Sequence, residues 1–291
     1  MKQMASHRSI FFLLFTLAIT IESIAQVVTI PLQTAHHAIV LQTDKDNRLR
    51  MIYSGKPLQN NIEYNGIANA YHLNDNDAGI YNAAYTPAGT WNMSIPAIEV
   101  LHADGNPSLE LKYISHQSEQ TNDGATLTKI VLKDPVYPFT VTLCYKISND
   151  DEVIQQWSKI EHNEKGSVVL QKYASANLYF ADKDFYLTTF GGQYAKEMQP
   201  AETKLVQGIR SIESTLGTRA MLLQSPNFIV SYGKPAQENE GSVMLGQLSW
   251  TGNFKLDFEI DSYQNLRLLA GIHPYNSAFT LQPGKVFATP P

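Results

Sequence analysis

Apolar and polar residues alternate along much of the chain, and this pattern predicts β-strands. In the clearest segment, residues 139–147, the odd positions are apolar or aromatic, while Thr140, Thr142 and Lys146 occupy even positions. A strict period of two places successive side chains on opposite faces of a strand that is buried on one side. Residues 255–261 alternate in the same way. Both segments are therefore predicted to be half-buried strands.

Further strands are predicted along the rest of the chain, with short turn sequences between them. They are residues 38–43, 48–53, 109–115, 126–132, 153–160, 168–180, 228–232, 243–250 and 266–271. Turn-forming pairs separate them, for example Asp104-Gly105, Asp123-Gly124 and Pro283-Gly284. No apolar stretch after residue 25 keeps a helical period long enough for a core helix. The sequence therefore predicts one all-β domain over residues 26–291, an antiparallel β-sandwich.

The first 25 residues predict a secretory signal peptide. Lys2 and Arg8 form a basic beginning, and residues 10–21 form a 12-residue apolar segment. Small residues, Ser23 and Ala25, follow at the positions that a signal peptidase reads before a cut. The apolar segment is shorter than the roughly 20 residues that a membrane span needs. We therefore expect cleavage near Ala25 and a periplasmic or secreted product without a membrane partner.

Composition narrows the classes of partner. The chain has 22 Lys+Arg against 27 Asp+Glu, a formal net charge of -5, and nucleic acid is an unlikely partner for an acidic protein. Hydrophobic residues make up 43% of the sequence, which is too many for a disordered chain. Cys144 is the single cysteine, so an internal disulfide is impossible.

Several polar residues are candidates for a catalytic or metal-binding site. Asp257, Glu259 and Asp261 share one face of a predicted strand. Three like charges in a row favour water, so we expect this face to be exposed to solvent. The two catalytic carboxylates of a glycosidase instead face each other across the substrate. His36 and His37 point to opposite faces of an extended segment and cannot easily chelate one metal ion. The sequence predicts neither a metal site nor a cofactor.

Two segments that combine a tryptophan with an asparagine are candidate sugar contacts. Trp91 and Asn92 lie in a predicted loop, and Trp250 and Asn253 lie in a second predicted turn. Sugars stack on aromatic faces and accept hydrogen bonds from planar amides, so either loop could contact carbohydrate. The alternative is that each tryptophan seals an edge of the core.

Several longer motifs follow one another along the chain. They include Val100-Leu-His-Ala-Asp-Gly-Asn-Pro-Ser108, Leu132-Lys-Asp-Pro-Val-Tyr-Pro138, Glu152-Val-Ile-Gln-Gln-Trp157, Leu245-Gly-Gln-Leu-Ser-Trp-Thr-Gly-Asn-Phe254, Leu266-Arg-Leu-Leu-Ala-Gly-Ile-His-Pro-Tyr275 and Phe287-Ala-Thr-Pro290. In this order they resemble the N-terminal domain of glycoside hydrolase family 36 α-galactosidases. The likeness spans nearly the whole chain after the signal segment.

The resemblance implies a large antiparallel two-sheet β-supersandwich. In that family a (β/α)8 barrel, here expected to follow residue 291, carries both catalytic aspartates. The nucleophile stands in a Lys-Trp-Asp type motif and the acid/base near an Arg-Phe-Asp type motif, and neither motif occurs in this sequence. Retaining hydrolysis needs both carboxylates. The chain by itself is therefore expected to have no catalytic residue and no activity.

The resemblance also implies a role for the loop that contains Trp91 and Asn92. In some tetrameric members a sandwich loop just before a Pro-Ala-Leu segment reaches the active site of a neighbouring subunit. Residues 89–95 match that loop, so Trp91 and Asn92 are candidate substrate-binding residues that act in trans. Ser94 stands where many relatives carry a basic residue, which weakens this assignment.

Three functions follow as alternatives. The first is the non-catalytic domain of an α-galactosidase that hydrolyses terminal α-D-galactosyl residues, where it supports the barrel and a homo-oligomer. It predicts an exposed apolar patch where the barrel docks. The second is a stand-alone periplasmic module that binds α-galactosides without cleaving them. The third is an inert remnant of a truncated gene.

Overall fold

A computed structural model describes residues 27–70, 74–75, 79–89, 94–219 and 223–291. The predicted signal peptide, residues 1–25, lies outside the described residues and stays a prediction. None of the helices in the described ranges has the length and apolar character that a membrane crossing requires.

The first half of the described chain contains ten strands and one α-helix. These are β1 (Thr29–Gln33), β2 (Ala38–Thr43), β3 (Leu49–Gly55), α1 (Glu63–Ala70), β4 (Asn74–Asp75), β5 (Gly79–Ile80), β6 (Ile98–Leu101), β7 (Lys112–Gln120), β8 (Thr126–Lys133), β9 (Phe139–Ser148) and β10 (Val153–His162). The second half contains β11 (Val168–Phe180), β12 (Phe185–Gln193), β13 (Lys196–Lys204), β14 (Gly208–Ser214), β15 (Gln224–Tyr232), β16 (Val243–Gln247), β17 (Phe254–Ile260), β18 (Leu266–Ile272), β19 (Phe279–Leu281) and β20 (Val286–Ala288), with a 3₁₀ turn at Gly217–Arg219.

Antiparallel ladders join these strands into five sheets. Their strand orders are β1-β2-β3, β4-β5, β20-β10-β9-β8-β7, β14-β17-β18-β11-β19 and β13-β12-β15-β16, and β6 pairs with β11. The pairings within the described strands are antiparallel throughout. The predicted fold class, an all-β antiparallel sandwich, is confirmed. The ladders divide its strands among more than two hydrogen-bonded sheets.

One hydrophobic core connects the four larger sheets. Strand β9 illustrates its origin, because Phe139, Val141 and Leu143 are completely buried, as the alternation of its sequence predicts. Across the core, Leu256 and Phe258 of β17 belong to the same cluster. Non-directional burial of apolar surface holds the sheets together, so the packing needs no hydrogen bonds between them.

The core also fixes where polar side chains can lie. In β17 the even-numbered residues 256, 258 and 260 face the core, so the odd-numbered residues lie on the opposite face of the sheet. On that side, the described residues 83–89 and 94–97 accept hydrogen bonds from side chains of β11 and β18. The candidate site lies on this polar face of the sheet.

Candidate functional site

The two predicted sugar contacts, Trp91 and Asn92, lie outside the described residues. The structure does describe both flanks of their loop, from Gly89 on one side and from Ser94 on the other. The candidate site consists of the groups that hold these flanks, which we call the loop base.

A single buried arginine holds both flanks of the loop. Arg267 in β18 is 2% exposed and is among the largest fully buried side chains. Its Nη1 donates to the carbonyl oxygen of Ile95 at 2.7 Å and to Oγ1 of Thr86 at 3.3 Å. Its Nε donates to Glu259 at 2.9 Å, and Nη2 contacts the same carboxylate. One guanidinium thus joins the two ends of the loop to the sheet beneath it.

Strand register explains why this arginine has a carboxylate partner. Glu259 in β17 lies directly opposite Arg267 in β18. Directly opposed side chains in an antiparallel pair share a face and lie close enough to interact. A planar guanidinium offers five donors, so it can satisfy a carboxylate and two loop acceptors at once.

The prediction that Asp257, Glu259 and Asp261 face solvent is wrong. Asp257 is 3% exposed and Asp261 6% exposed, and β17 has a strand on each side. Each carboxylate has partners of its own. Asp257 accepts from Ser211 Oγ at 2.6 Å, and Asp261 accepts from Tyr179 Oη at 2.8 Å. These groups are structural, and hydrogen bonds replace the water that they would otherwise need.

A lysine also belongs to this polar face. Lys172 Nζ lies 3.9 Å from Asp257, and the lysine side chain is only 13% exposed. Burial lowers the pKa of Lys172, while the charges of Asp257 and Glu99 raise it and only partly compensate. Desolvation disfavours the charged ammonium, which is why the net direction is downward.

Backbone contacts complete the loop base. Asn177 Nδ2 in β11 donates to the carbonyl oxygen of Ala83 at 2.6 Å. The Ala97 N–H donates to Thr86 O at 2.7 Å, on the far side of the loop. Gly89 has a φ of +101°, and a Cβ there would lie 2.9 Å from Ser108 Cα. The loop therefore leaves the sheet through a position that only glycine occupies without strain.

Trp250, in the second candidate sugar loop, is used within the fold. Its indole N–H donates to Asn253 O at 3.1 Å, within the same turn. The ring packs against the hydrophobic core and lies directly over Gly252. Asn253 Oδ1 in turn accepts from the Gly217 N–H at 2.7 Å. These contacts favour the alternative that Trp250 and Asn253 seal an edge of the core.

A buried contact between a histidine and a carboxylate lies elsewhere, in the turn that begins at His102. His102 Nδ1 is 2.8 Å from Glu164, and Nε2 is 3.1 Å from the carbonyl oxygen of Ser108. The ring stacks on Tyr137 at 3.7 Å. These contacts join the turn at His102 to the segment that contains Glu164.

Sequence reasoning did not predict the contact between Arg267 and Glu259 or the contact between His102 and Glu164. Arg267 did leave a signal, since a lone arginine stands in the otherwise apolar run of residues 266–271. His102 and Glu164 are 62 residues apart, and no local pattern relates them. His36 contacts Glu152 at 2.8 Å on the surface. Among the residues that the structure describes, no three His, Cys, Asp or Glu side chains gather as a metal site would require.

Comparison with known proteins agrees on one family. The profile described as the glycosyl hydrolase family 36 N-terminal domain matches residues 47–282. Alpha-galactosidase Mel36A of Lactobacillus acidophilus is 28% identical over 220 residues, which are 71% of this chain and 30% of that protein. Alpha-galactosidase AgaA of Geobacillus stearothermophilus is 27% identical over 221 residues, also 30% of its length.

Solved structures show the same relation. The alpha-galactosidase from Lactobacillus brevis superposes with a TM-score of 0.82 at 25% identity, covering 90% of this chain and 38% of that one. The galactosidase domain of the alpha-galactosidase-sucrose kinase AgaSK also gives 0.82, at 23% identity, and supports the fold alone. This chain thus spans about 30% of the length of the curated relatives named here.

Proposed function

We propose that this chain, which belongs to the glycosyl hydrolase family 36 N-terminal domains, serves as the non-catalytic part of a retaining α-galactosidase. The enzyme would hydrolyse terminal α-D-galactosyl residues of oligosaccharides. Both catalytic carboxylates would come from a separate catalytic domain, and this domain would support that domain and a homo-oligomer.

The observation that carries the proposal is the family match combined with the share of the relatives that it covers. Relatives named α-galactosidases are matched over about 30% of their length. Within the described residues, Glu259 is held by Arg267, Asp257 by Ser211, Asp261 by Tyr179 and Glu164 by His102. A retaining pair must instead face a substrate with two free carboxyl groups roughly 5–5.5 Å apart.

The loop of Trp91 and Asn92 belongs to the proposal as a substrate contact made in trans. Its support is the loop base, where Arg267 holds both flanks against a rigid sheet. Sites built on such supports keep their side chains in place more precisely than free loops do. Asn92 would donate to a sugar hydroxyl and Trp91 would offer an aromatic face.

Export is part of the proposal as well. A basic beginning, an apolar segment and small residues before Gln26 are the features that support it. Edman sequencing of the product from its own cell should give Gln26 as the first residue. An intact Met1 would contradict both the cleavage and the periplasmic or secreted location.

The function is tested on the chain and on the natural product together. The 291-residue chain should not release nitrophenol from p-nitrophenyl α-galactoside, and the natural product should, with an intact mass well above 32.5 kDa. In that product, Asn92→Ala should raise KM for raffinose several-fold, and the matched surface change Asn122→Ala should leave KM unchanged. A natural product without α-galactosidase activity would overturn the proposal.

The alternative function, a stand-alone α-galactoside-binding module, gives the opposite result. Titration calorimetry of the 291-residue chain with melibiose or raffinose would then detect binding that Asn92→Ala weakens and Asn122→Ala does not. Absence of binding at millimolar sugar rejects the module. The loop base supports this alternative as well, because Arg267 holds both flanks of the same candidate sugar loop.

A further inference from the structure

The sheet β13-β12-β15-β16 has one buried face and one open face. Leu187, Phe228 and Val230 point into the core and are at most 4% exposed. Strand register brings Ile229 of β15 directly opposite Leu245 of β16, on the other side of the sheet. We call this open side, which Tyr186, Phe190, Ile229, Val243 and Leu245 form, the outer face.

The outer face exposes more aliphatic surface than a solvated sheet normally does. Leu245 is 73% exposed and Val243 51% exposed, and both lie on β16, which is an edge strand of its sheet. A solvated edge is usually protected by charge or proline against pairing with another chain. Contiguous exposed apolar residues instead mark a surface that another protein covers.

Buried side-chain polar atoms also lie on the outer face. Ser225 Oγ, Asn227 Oδ1 and Ser231 Oγ are buried and have no hydrogen-bond partner within the described residues. Asn227 and Ser231 alternate with Ile229 in regular register and are on the outer face with it, and Ser225 lines the same cleft as Phe190. Buried polar atoms nearly always have partners, and a run of unpaired ones points to groups from outside the chain.

A cleft opens on the outer face beside these atoms. It has a volume of about 520 Å³, and Phe190, Met198, Arg219, Ser225 and Thr251 line it. Its walls are mostly apolar, with one cation (Arg219), one carboxylate (Glu197) and several hydroxyl groups. This combination suits a protruding segment of a protein that offers an apolar side chain beside a polar group.

Pro291 lies at the edge of the outer face. The Ser249 N–H, just beyond β16, donates to Pro291 O at 2.8 Å. The Leu248 N–H donates to Pro226 O at 3.3 Å, which joins this corner to β15. In a protein that continues past an N-terminal domain of this family, the chain beyond this point therefore leaves from the rim of the outer face.

We propose that the outer face is the docking surface for the catalytic domain that follows this domain in its relatives, with the cleft taking one segment of that domain. The inference rests on the proposed function and adds the place of contact. A second exposed group, at Phe279 and Val286, is a weaker candidate. The ring of Phe279 packs on Phe287 at 4.7 Å, and that region has no unpaired buried oxygen in the described chain.

The test compares the 291-residue chain with a hybrid in which Pro291 is followed by the remaining sequence of Geobacillus stearothermophilus AgaA. Hydrogen–deuterium exchange of residues 224–247 should slow at least tenfold in the hybrid, while residues 112–120 should exchange equally in both proteins. Leu245→Lys in the hybrid should restore fast exchange. The matched change Ile114→Lys, at a 52% exposed position on the edge strand β7, should not.

A second measurement needs only the chain itself. Fluorescence of the apolar dye bis-ANS with the chain should fall at least severalfold in Leu245→Lys and stay constant in Ile114→Lys. Equal fluorescence in all three proteins overturns the proposal even if the hybrid does not fold. A tight dimer of the chain in sedimentation, lost in Leu245→Lys, also overturns it and assigns the face to a second copy.

The outcomes separate the docking surface from the function. A hybrid that cleaves α-galactosides without slower exchange at residues 224–247 keeps the function and rejects the outer face. Slower exchange without cleavage keeps the outer face and rejects the function.

Discussion

At the scale of single residues, buried charge decides how the loop base is held. Arg267 lies in an apolar strand, yet its guanidinium has a carboxylate and two loop acceptors within hydrogen-bonding distance. Local sequence suggested that the carboxylates of β17 repel one another and seek water. Register instead placed Ser211 opposite Asp257 and Arg267 opposite Glu259, so this face tolerates the charge.

The first prediction concerns Arg267→Met. This change leaves Glu259 without its cation and Ile95 O without its donor, so the free energy of unfolding should fall by about 3–5 kcal/mol. Urea denaturation measures the loss. The exposed Arg210→Met in β14 serves as control and should change stability by less than about 0.5 kcal/mol.

A double variant separates the ion pair from general packing. In Arg267→Met with Glu259→Met, no uncompensated charge remains, so most of the lost stability should return. Equal stability of the single and double variants would contradict the view that an orphaned Glu259 causes the loss.

At the scale of elements, alternation predicted strands β9 and β17, whereas β1, β6, β12 and β14 were not predicted although each contains buried residues. Strands β9 and β17 lie where their period of two places them. Strand β13 was missed, because every residue of Lys196–Lys204 is exposed and no apolar rhythm remains. Pairing with β12 makes this segment a strand. Exposed edge strands are defined by their neighbours more than by their own sequence.

The second prediction uses two glycines in different elements. Gly246 of β16 lies opposite Phe228, whose ring occupies the space of a Cβ. Gly246→Ala should therefore destabilise the protein by about 1–3 kcal/mol through overpacking. Gly66 in α1 has nothing within 4 Å of a Cβ, so Gly66→Ala should stabilise by roughly 0.5–1 kcal/mol.

Thermal unfolding of the two alanine variants, followed by circular dichroism, checks this pair. The two melting temperatures should move in opposite directions from that of the parent chain. A shift of both in the same direction would mean that the Phe228 ring moves aside at little cost.

At the scale of the whole molecule, a buried polar network fastens the last residues to the core. Thr289 Oγ1 accepts from the Ser158 N–H at 2.9 Å, and Ser158 Oγ donates to Ala174 O at 3.1 Å. Tyr85 Oη donates to the same carbonyl at 2.7 Å. Three distant parts of the chain therefore meet in one place, and the four larger sheets share one core.

The third prediction tests this network with Thr289→Val, which keeps the shape and removes the hydroxyl. Ser158 N–H is then buried without an acceptor, which should cost about 1–3 kcal/mol. Because the sheets share a core, unfolding in urea should stay a single transition. The exposed Thr280→Val in β19 is the control and should leave the midpoint unchanged. A second transition at lower urea would show that the sheets unfold separately.

The sequence by itself determined the fold class, the family and some of the buried strands. Period-two alternation and turn residues act locally, so residues 139–147 and 255–261 could be placed without a structure. Motifs such as residues 245–254 carried the resemblance to the family that the comparisons establish. These features depend on near neighbours in the chain, which sequence displays directly.

Tertiary structure decided the roles of the polar residues. Glu259 turned from an expected surface charge into a partly buried partner because register placed Arg267 opposite it, and Arg267 also donates to Ile95 O. Trp250 closes its own turn, which its sequence left open. The outer face emerged only when β15 and β16 paired. Such outcomes depend on contacts between residues that are far apart in sequence, and local patterns carry no record of those contacts.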